Sequence, residues 1–131
     1  EADIIVGFEP LETLRVARDY ASKSTRIIFN PRPNYPLSVL IGESKYPPLD
    51  AVVQELALLG QSVQKIEATE LAREAGQPQA ANVVLLGAMT ALPETPISRG
   101  ELEEILKQRF SGPAMEINRA ALELGYKAAC S

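Results

Sequence analysis

Ala2-Asp3-Ile4-Ile5-Val6-Gly7, then Phe8-Glu9-Pro10-Leu11-Glu12-Thr13-Leu14, then Arg26-Ile27-Ile28-Phe29-Asn30: these three strings decide the fold. The first is a short apolar run, rich in β-branched residues and closed by Gly7, as in a strand buried on both faces of a parallel sheet. Pro10 suits the first residue of a helix, where its missing N–H costs nothing, and Glu9 and Glu12 bring negative charge to that helix's N-terminus. Leu11, Leu14, Ala17 and Ala21 recur at helical spacing, and Arg15 and Asp19 stand one turn apart as an exposed pair. Residues Thr25 to Asn30 give a second β-rich run. The opening therefore reads β-α-β.

Outward from this unit the chain alternates further. Pro31-Arg32-Pro33-Asn34-Tyr35-Pro36 forbids helix and central strand alike. Ser38 to Ile41 reads as a short edge strand, and Pro47-Pro48 punctuates again. Leu49, Val52, Val53, Leu56 and Leu59 form a helical face stopped at Gly60. Ser62 to Glu67 is a mixed run expected to be a third strand. Thr69 is expected to cap a short helix, Glu70 to Ala75, ended by Gly76 and Pro78. Ala80 to Leu92 is apolar and long enough for a buried helix, with Gly87 and Ala88 permitting close approach of a neighbour. Ser98 and Glu101 have capping-box spacing and open a helix whose expected buried face is Leu102, Ile105, Leu106 and Phe110. Pro113 starts a last helix, expected to end near Gly125. No repeat, low-complexity tract or dividing linker interrupts the chain, so the expectation is one α/β domain.

Composition narrows the function. The 131 residues correspond to about one domain, and a chain of this size buries roughly two-thirds of its unfolded surface. Lys plus Arg is 13 and Asp plus Glu is 17, a net charge of −4. That balance lacks the basic footprint of a nucleic-acid binder. There is no His and one Cys, Cys130. The chain alone therefore supplies no His-based triad, no internal disulfide, no four-cysteine zinc site and no ligand set for an iron–sulfur cluster. No apolar stretch approaches the roughly 20 residues of a membrane span, and no signal segment is seen, so the expected compartment is the cytoplasm. The chain opens on Glu1 with a core-type strand almost at once, which reads as a domain whose N-terminal part is missing. Such a domain would leave a bare sheet edge, and self-association is expected on that ground.

The chemistry-bearing candidates are few. In open α/β sheets ligands bind beyond the carboxyl ends of the strands, which here are Gly7-Phe8-Glu9 and Asn30-Pro31-Arg32. Glu9 and Glu12 read as a carboxylate pair or, the favoured reading, as charges complementing the helix start. Asn30 is a ligand contact or a turn residue. Arg32 holds a phosphate or carboxylate, or is a solvated loop arginine. Asn82 and Asn118, in apolar helical surroundings, are expected to hydrogen-bond when buried, stapling helices together rather than binding a ligand. No phosphate-binding glycine motif, catalytic constellation or metal site emerges. The candidate cofactor- or partner-facing residues are thus Glu9, Asn30, Arg32 and Tyr35.

Several strings, taken in order, carry a family resemblance: Gly7-Phe8-Glu9-Pro10-Leu11-Glu12-Thr13-Leu14-Arg15; Ile28-Phe29-Asn30 with the proline-rich turn; Tyr46-Pro47; Ala80-Ala81-Asn82-Val83-Val84-Leu85-Leu86-Gly87-Ala88; and Glu116-Ile117-Asn118-Arg119-Ala120-Ala121-Leu122-Glu123-Leu124-Gly125-Tyr126. From Glu1 to about Ala128 the chain resembles the gamma-type subunit or domain of 2-oxoacid:ferredoxin oxidoreductases, most of all the beta (small) subunit of the indolepyruvate branch. The resemblance implies a single three-layer, Rossmann-like α/β domain over residues 1–131, with a mainly parallel sheet, a helical C-terminal part and no N-terminal β-α unit. It also implies oxidative decarboxylation of 2-oxo acids, aryl pyruvates in this branch, with coenzyme A as cosubstrate and ferredoxin as electron acceptor. Thiamine diphosphate, magnesium and iron–sulfur clusters are expected on the companion large (alpha) subunit, without which the chain is inactive. Pyruvate or 2-oxoglutarate as substrate, and a non-catalytic α/β interaction module, stand as the alternatives.

Overall fold

A computed structural model describes residues 1–130. Strands β1 (Ile4–Gly7), β2 (Arg26–Phe29) and β3 (Ser62–Lys65) form a parallel sheet in the order β1-β2-β3. Ile5 pairs with Ile27 and Ile27 with Val63, and Gly7 pairs with Phe29 and Phe29 with Lys65. Side chains alternate across each strand. Ile5, Ile27 and Phe29 point to the face covered by helices α1 (Pro10–Tyr20) and, beyond the four-residue helix α2 (Leu37–Leu40), α3 (Leu49–Leu59). Val6 and Ile28 point to the opposite face, covered by α4 (Ala68–Ala75) and α5 (Ala81–Met89). The result is three layers, as the resemblance implies. Helix α6 (Arg99–Arg109) and helix α7 (Gly112–Cys130) follow, and α6 is attached through Leu102 and Leu106 to Met115 and Leu122 of α7.

The tightest packing lies between α5 and α7. A Cβ at Gly87 would come 2.1 Å from the carbonyl oxygen of Leu122, and one at Gly125 would come 1.8 Å from that of Val84. Two glycines therefore let the two helix backbones touch at two reciprocal points. Val84, Leu85, Ala88 and Ala121 are fully buried around them. The close approach expected at Gly87 is present. Gly125 does not end α7, which runs on to Cys130. An interior glycine costs a helix about 1 kcal/mol relative to alanine, and the close contact with α5 offsets that cost.

Other expectations shift for local reasons. Ser38 to Ile41 is not a strand: Leu37–Leu40 make one helical turn after Pro36, and Ile41 N–H donates to Leu37 O at 3.0 Å. Thr69 is not a cap. Helix α4 begins at Ala68, two residues after the fully buried Ile66, and Glu67 stands at its N-cap. Gly76 ends α4 as expected, at φ +134°, where a side chain would be strained. On α6 the capping box of Ser98 and Glu101 forms in full, but Ile105 is 41% and Phe110 36% exposed, so only Leu102 and Leu106 face inward. Arg15 turns back to Glu12, at 2.6 Å, rather than forward to Asp19. Asn82 is exposed, and Asn118, though buried, donates to the carbonyl of Ala114 in its own helix at 2.8 Å. Neither asparagine joins one helix to another.

Candidate functional site

A cleft of about 770 Å³ opens at the carboxyl ends of β1 and β2, where the strand-end rule places a ligand site. Its floor is the end of β1. A Cβ at Gly7 would lie 1.7 Å from Thr13 Oγ1, so the first turn of α1 packs directly on the strand's backbone. Thr13 in turn donates its hydroxyl to Glu9 O at 2.5 Å. Phe8, Glu12 and Val16 form one rim, and Arg32, Pro33 and Asn34 form the other.

Glu9 is the most connected side chain of the cleft. It sits at the N-cap of α1 in an extended conformation, and its Oε1 accepts from the Glu12 N–H. Its Oε2 accepts from the Asn34 N–H at 3.2 Å and from the Tyr46 hydroxyl at 2.5 Å. The Tyr46 hydroxyl oxygen also accepts from the Leu11 N–H at 3.1 Å. Burial and then the bond to the Glu9 carboxylate push the Tyr46 hydroxyl well above the usual phenol range, so it stays protonated as a donor. Of the two readings of Glu9 and Glu12, the structure follows the favoured one, negative charge at the helix start: Glu9 is the N-cap, and Glu12, in the first turn, pairs with Arg15. A buried carboxylate spent on three hydrogen bonds is a structural group, not a free base.

The other candidates divide. Asn30 is buried. Its Nδ2 donates to Thr69 Oγ1 at 3.0 Å, and its Oδ1 accepts from the Arg32 N–H at 3.2 Å, which fixes the turn leaving β2. Arg32 is exposed on the cleft rim. Its guanidinium is the one cationic group lining the cleft among the described residues. Tyr35 is 48% exposed and lies outside the cleft lining, its ring edge-on to Tyr46 with centroids 5.1 Å apart. The structure thus brings Glu9, Asn30 and Arg32 to one cleft and sets Tyr35 beside it. Residue-level reading misses Tyr46 and Thr69 as members of this network. Their partners lie 37 and 39 residues away in sequence, and the only signal for Tyr46 is its place in the Tyr46-Pro47 string.

The donor set does not fit a metal or cluster. The chain offers a single exposed cysteine and no histidine, and among the described residues no group of three or more acidic or thiol ligands converges. Nor is any helix among them long and apolar enough to cross a membrane.

Comparison with known proteins gives this geometry a family. Residues 1–128 match the model of the pyruvate ferredoxin/flavodoxin oxidoreductase family. The chain is 35% identical over 130 residues to the indolepyruvate oxidoreductase subunit IorB of Archaeoglobus fulgidus, a match that covers 99% of this chain and 64% of that protein. It is 36% identical over 132 residues to the protein of the same name from Thermococcus kodakarensis, covering 98% and 64% respectively. The fold is similar to that of a keto/oxoacid ferredoxin oxidoreductase gamma subunit from Geobacter sulfurreducens, with TM-score 0.67, 22% identity, and coverage of 98% of this chain and 64% of that one. It is also similar to part of the 2-oxoglutarate:ferredoxin oxidoreductase of Magnetococcus marinus, with TM-score 0.67, 18% identity, and coverage of 99% and 20%. The chain therefore spans just under two thirds of the length of the curated relatives it matches. With a match that spans residues 1–128, the chain belongs to the pyruvate ferredoxin/flavodoxin oxidoreductase family.

Proposed function

We propose that this chain serves in the small subunit of an indolepyruvate (aryl pyruvate):ferredoxin oxidoreductase. The observation that carries the reading is identity of 35–36%, spread over 98–99% of the chain, to relatives that share one name. The overall reaction converts a 2-oxo acid and coenzyme A to acyl-CoA and carbon dioxide. Its two electrons pass to ferredoxin, and the thiol proton is released. The bond-breaking and electron-carrying groups, thiamine diphosphate with magnesium and iron–sulfur clusters, belong on the large companion subunit; this chain's one cysteine and lack of histidine give no ligand set for a cluster. The complex works in the cytoplasm.

The part of this chain is a wall and a scaffold. A cofactor enzyme needs its protein to orient the reactants and keep water from reactive intermediates. The strand-end cleft suits that role, with a main-chain floor, the apolar Phe8 and Val16 on one rim, and the Arg32 guanidinium on the other. We assign this surface, with Arg32 and Tyr35 at its edge, to the companion subunit or to coenzyme A, whose phosphates a guanidinium binds well.

Co-expression of the full-length protein with its companion, followed by ferredoxin-linked assays, tests the reading. Indolepyruvate and phenylpyruvate are expected to be oxidised faster than pyruvate or 2-oxoglutarate. Preference for either of the latter would reassign the substrate, and a protein that forms no complex with a thiamine-dependent companion would be a binding module instead. In the intact complex, Arg32→Ala with Tyr35→Ala is expected to weaken assembly or raise the coenzyme A concentration needed for half-maximal rate. No change in either would remove the cleft edge from the site.

A further inference from the structure

Residues 34–46 form an arm whose attachments are unusual. Between its ends the hydrogen bonds are its own: Ile41 N–H to Leu37 O, Gly42 N–H to Val39 O, and the Glu43 and Ser44 N–H groups to Ser38 O. Its tip is apolar and exposed, with Leu37 at 71%, Leu40 at 68% and Ile41 at 58%. Both feet come down on the same oxygen. Asn34 N–H and the Tyr46 hydroxyl both donate to Glu9 Oε2. The other carboxylate oxygen holds the first turn of α1. The first foot is also cleft wall, because Arg32, Pro33 and Asn34 line the far rim.

We infer that Glu9 is a clasp: one buried carboxylate fixes both feet of the arm, so that the arm and the Arg32–Asn34 wall of the cleft are held or released together. The other hydrogen bonds near the feet are between neutral groups: Leu11 N–H to the Tyr46 hydroxyl oxygen, and Arg32 N–H to Asn30 Oδ1. A charge-assisted bond is roughly twice as strong as a neutral one, and a carboxylate already ordered by one foot loses less freedom on bonding the other, which couples the two feet. Coupling between the feet is reciprocal, so loosening either one loosens the other by the same factor. Force or contact at the apolar tip is thereby felt at the cleft wall. The clasp stands on this geometry alone and does not depend on the identity of the substrate.

Residue-resolved hydrogen exchange on the whole chain tests it. In Tyr46→Phe the acceptor of the Asn34 amide is untouched, yet that amide is expected to exchange at least tenfold faster, together with those of Glu43 and Ser44. Asn34→Pro removes the other donor, and the Leu11 amide, which Tyr46 caps, is expected to accelerate by a similar factor. Amides of α5 and α7 must stay protected in both variants, which separates clasp opening from unfolding. Glu12→Gln, on the same cleft but bonded to Arg15, is expected to leave all of these rates unchanged. An Asn34 amide as protected in Tyr46→Phe as in the parent, a Leu11 amide unmoved in Asn34→Pro, or equal acceleration in Glu12→Gln would each overturn the clasp.

Discussion

The crossing of α5 and α7 and the arm at 34–46 are built on opposite plans. At the crossing, Gly87 and Gly125 remove side chains so that backbones meet, and everything around them is apolar and buried. In the arm, apolar side chains are turned outward and the attachment is polar, two donors on one carboxylate. The first plan gives many contacts of small individual energy that fail only together. The second gives a segment that opens without unfolding the domain, since local stability follows local packing. One region fixes the frame, and the other leaves apolar side chains exposed at its tip.

Substitutions can break or sharpen that contrast. The largest effect belongs to Gly87→Ala or Gly125→Ala. With a carbonyl oxygen about 2 Å from the new methyl group, the helices must part. A loss of about 3 kcal/mol is expected, read as a lowered denaturation midpoint, with no selective change in the arm. If either variant keeps the parent midpoint, the two helices do not touch as closely as these distances require. Next comes Ser98→Ala, which removes the cap of α6 and is expected to cost about 1 kcal/mol. The pH profile of the same turn sharpens that point. The Ser98 N–H and hydroxyl hold the Glu101 carboxyl below the usual range. This stabilisation is complete above the ordinary Glu pKa and is lost as pH falls through the lowered value. Glu101→Gln should flatten that acid limb in a thermal-melt series, and an unchanged limb would place the acid sensitivity elsewhere. The smallest effect on stability is expected at the tip: Leu37→Ser with Leu40→Ser should stay within about 0.5 kcal/mol while weakening assembly with the companion subunit in a pull-down or sedimentation assay. A fall in stability comparable to that of Gly87→Ala would mean the tip is core, not surface.

A fifth measurement concerns β1. Its outer edge has no strand partner among the described residues, and Phe8 and Val16 lie exposed nearby. Open strand edges with apolar neighbours tend to associate, so this chain alone is expected to sediment as more than a monomer at high concentration. A single monomeric species throughout would show the edge to be adequately protected.

How far these regions can be read from residues follows the same division. The frame is legible because its rules are local or periodic. The apolar, β-branched runs around Ile5 and Ile27, Pro10 at a helix start, the Ser98–Glu101 box and the small residues at Gly87-Ala88 each carry their own signal. Gly125 misleads because a glycine that ends a helix and one that lets a neighbour touch look alike until the neighbour is placed. The arm is poorly legible. The β-branched Val39 and Ile41 suggest a strand, but Pro36 sets the entry to a helical turn and there is no sheet within reach. Glu9 stands out for its place at a strand end, yet its role depends on Asn34 and Tyr46, which only the tertiary fold brings to it. Arg32 lines the cleft for the reason its position suggests, a cation beyond a strand's carboxyl end, and Asn30, on the same cleft, also holds the turn through its Oδ1.

The contact of Gly7 with Thr13 has a further consequence for how such a cleft diversifies. Because a Cβ at position 7 would meet Thr13, the floor there is main chain backed by the first turn of α1. Chemical variety must enter from the rim, at Phe8, Glu12, Val16, Arg32 and Asn34. Substitutions at those rim positions are thus expected to reshape the cleft while leaving the sheet beneath undisturbed.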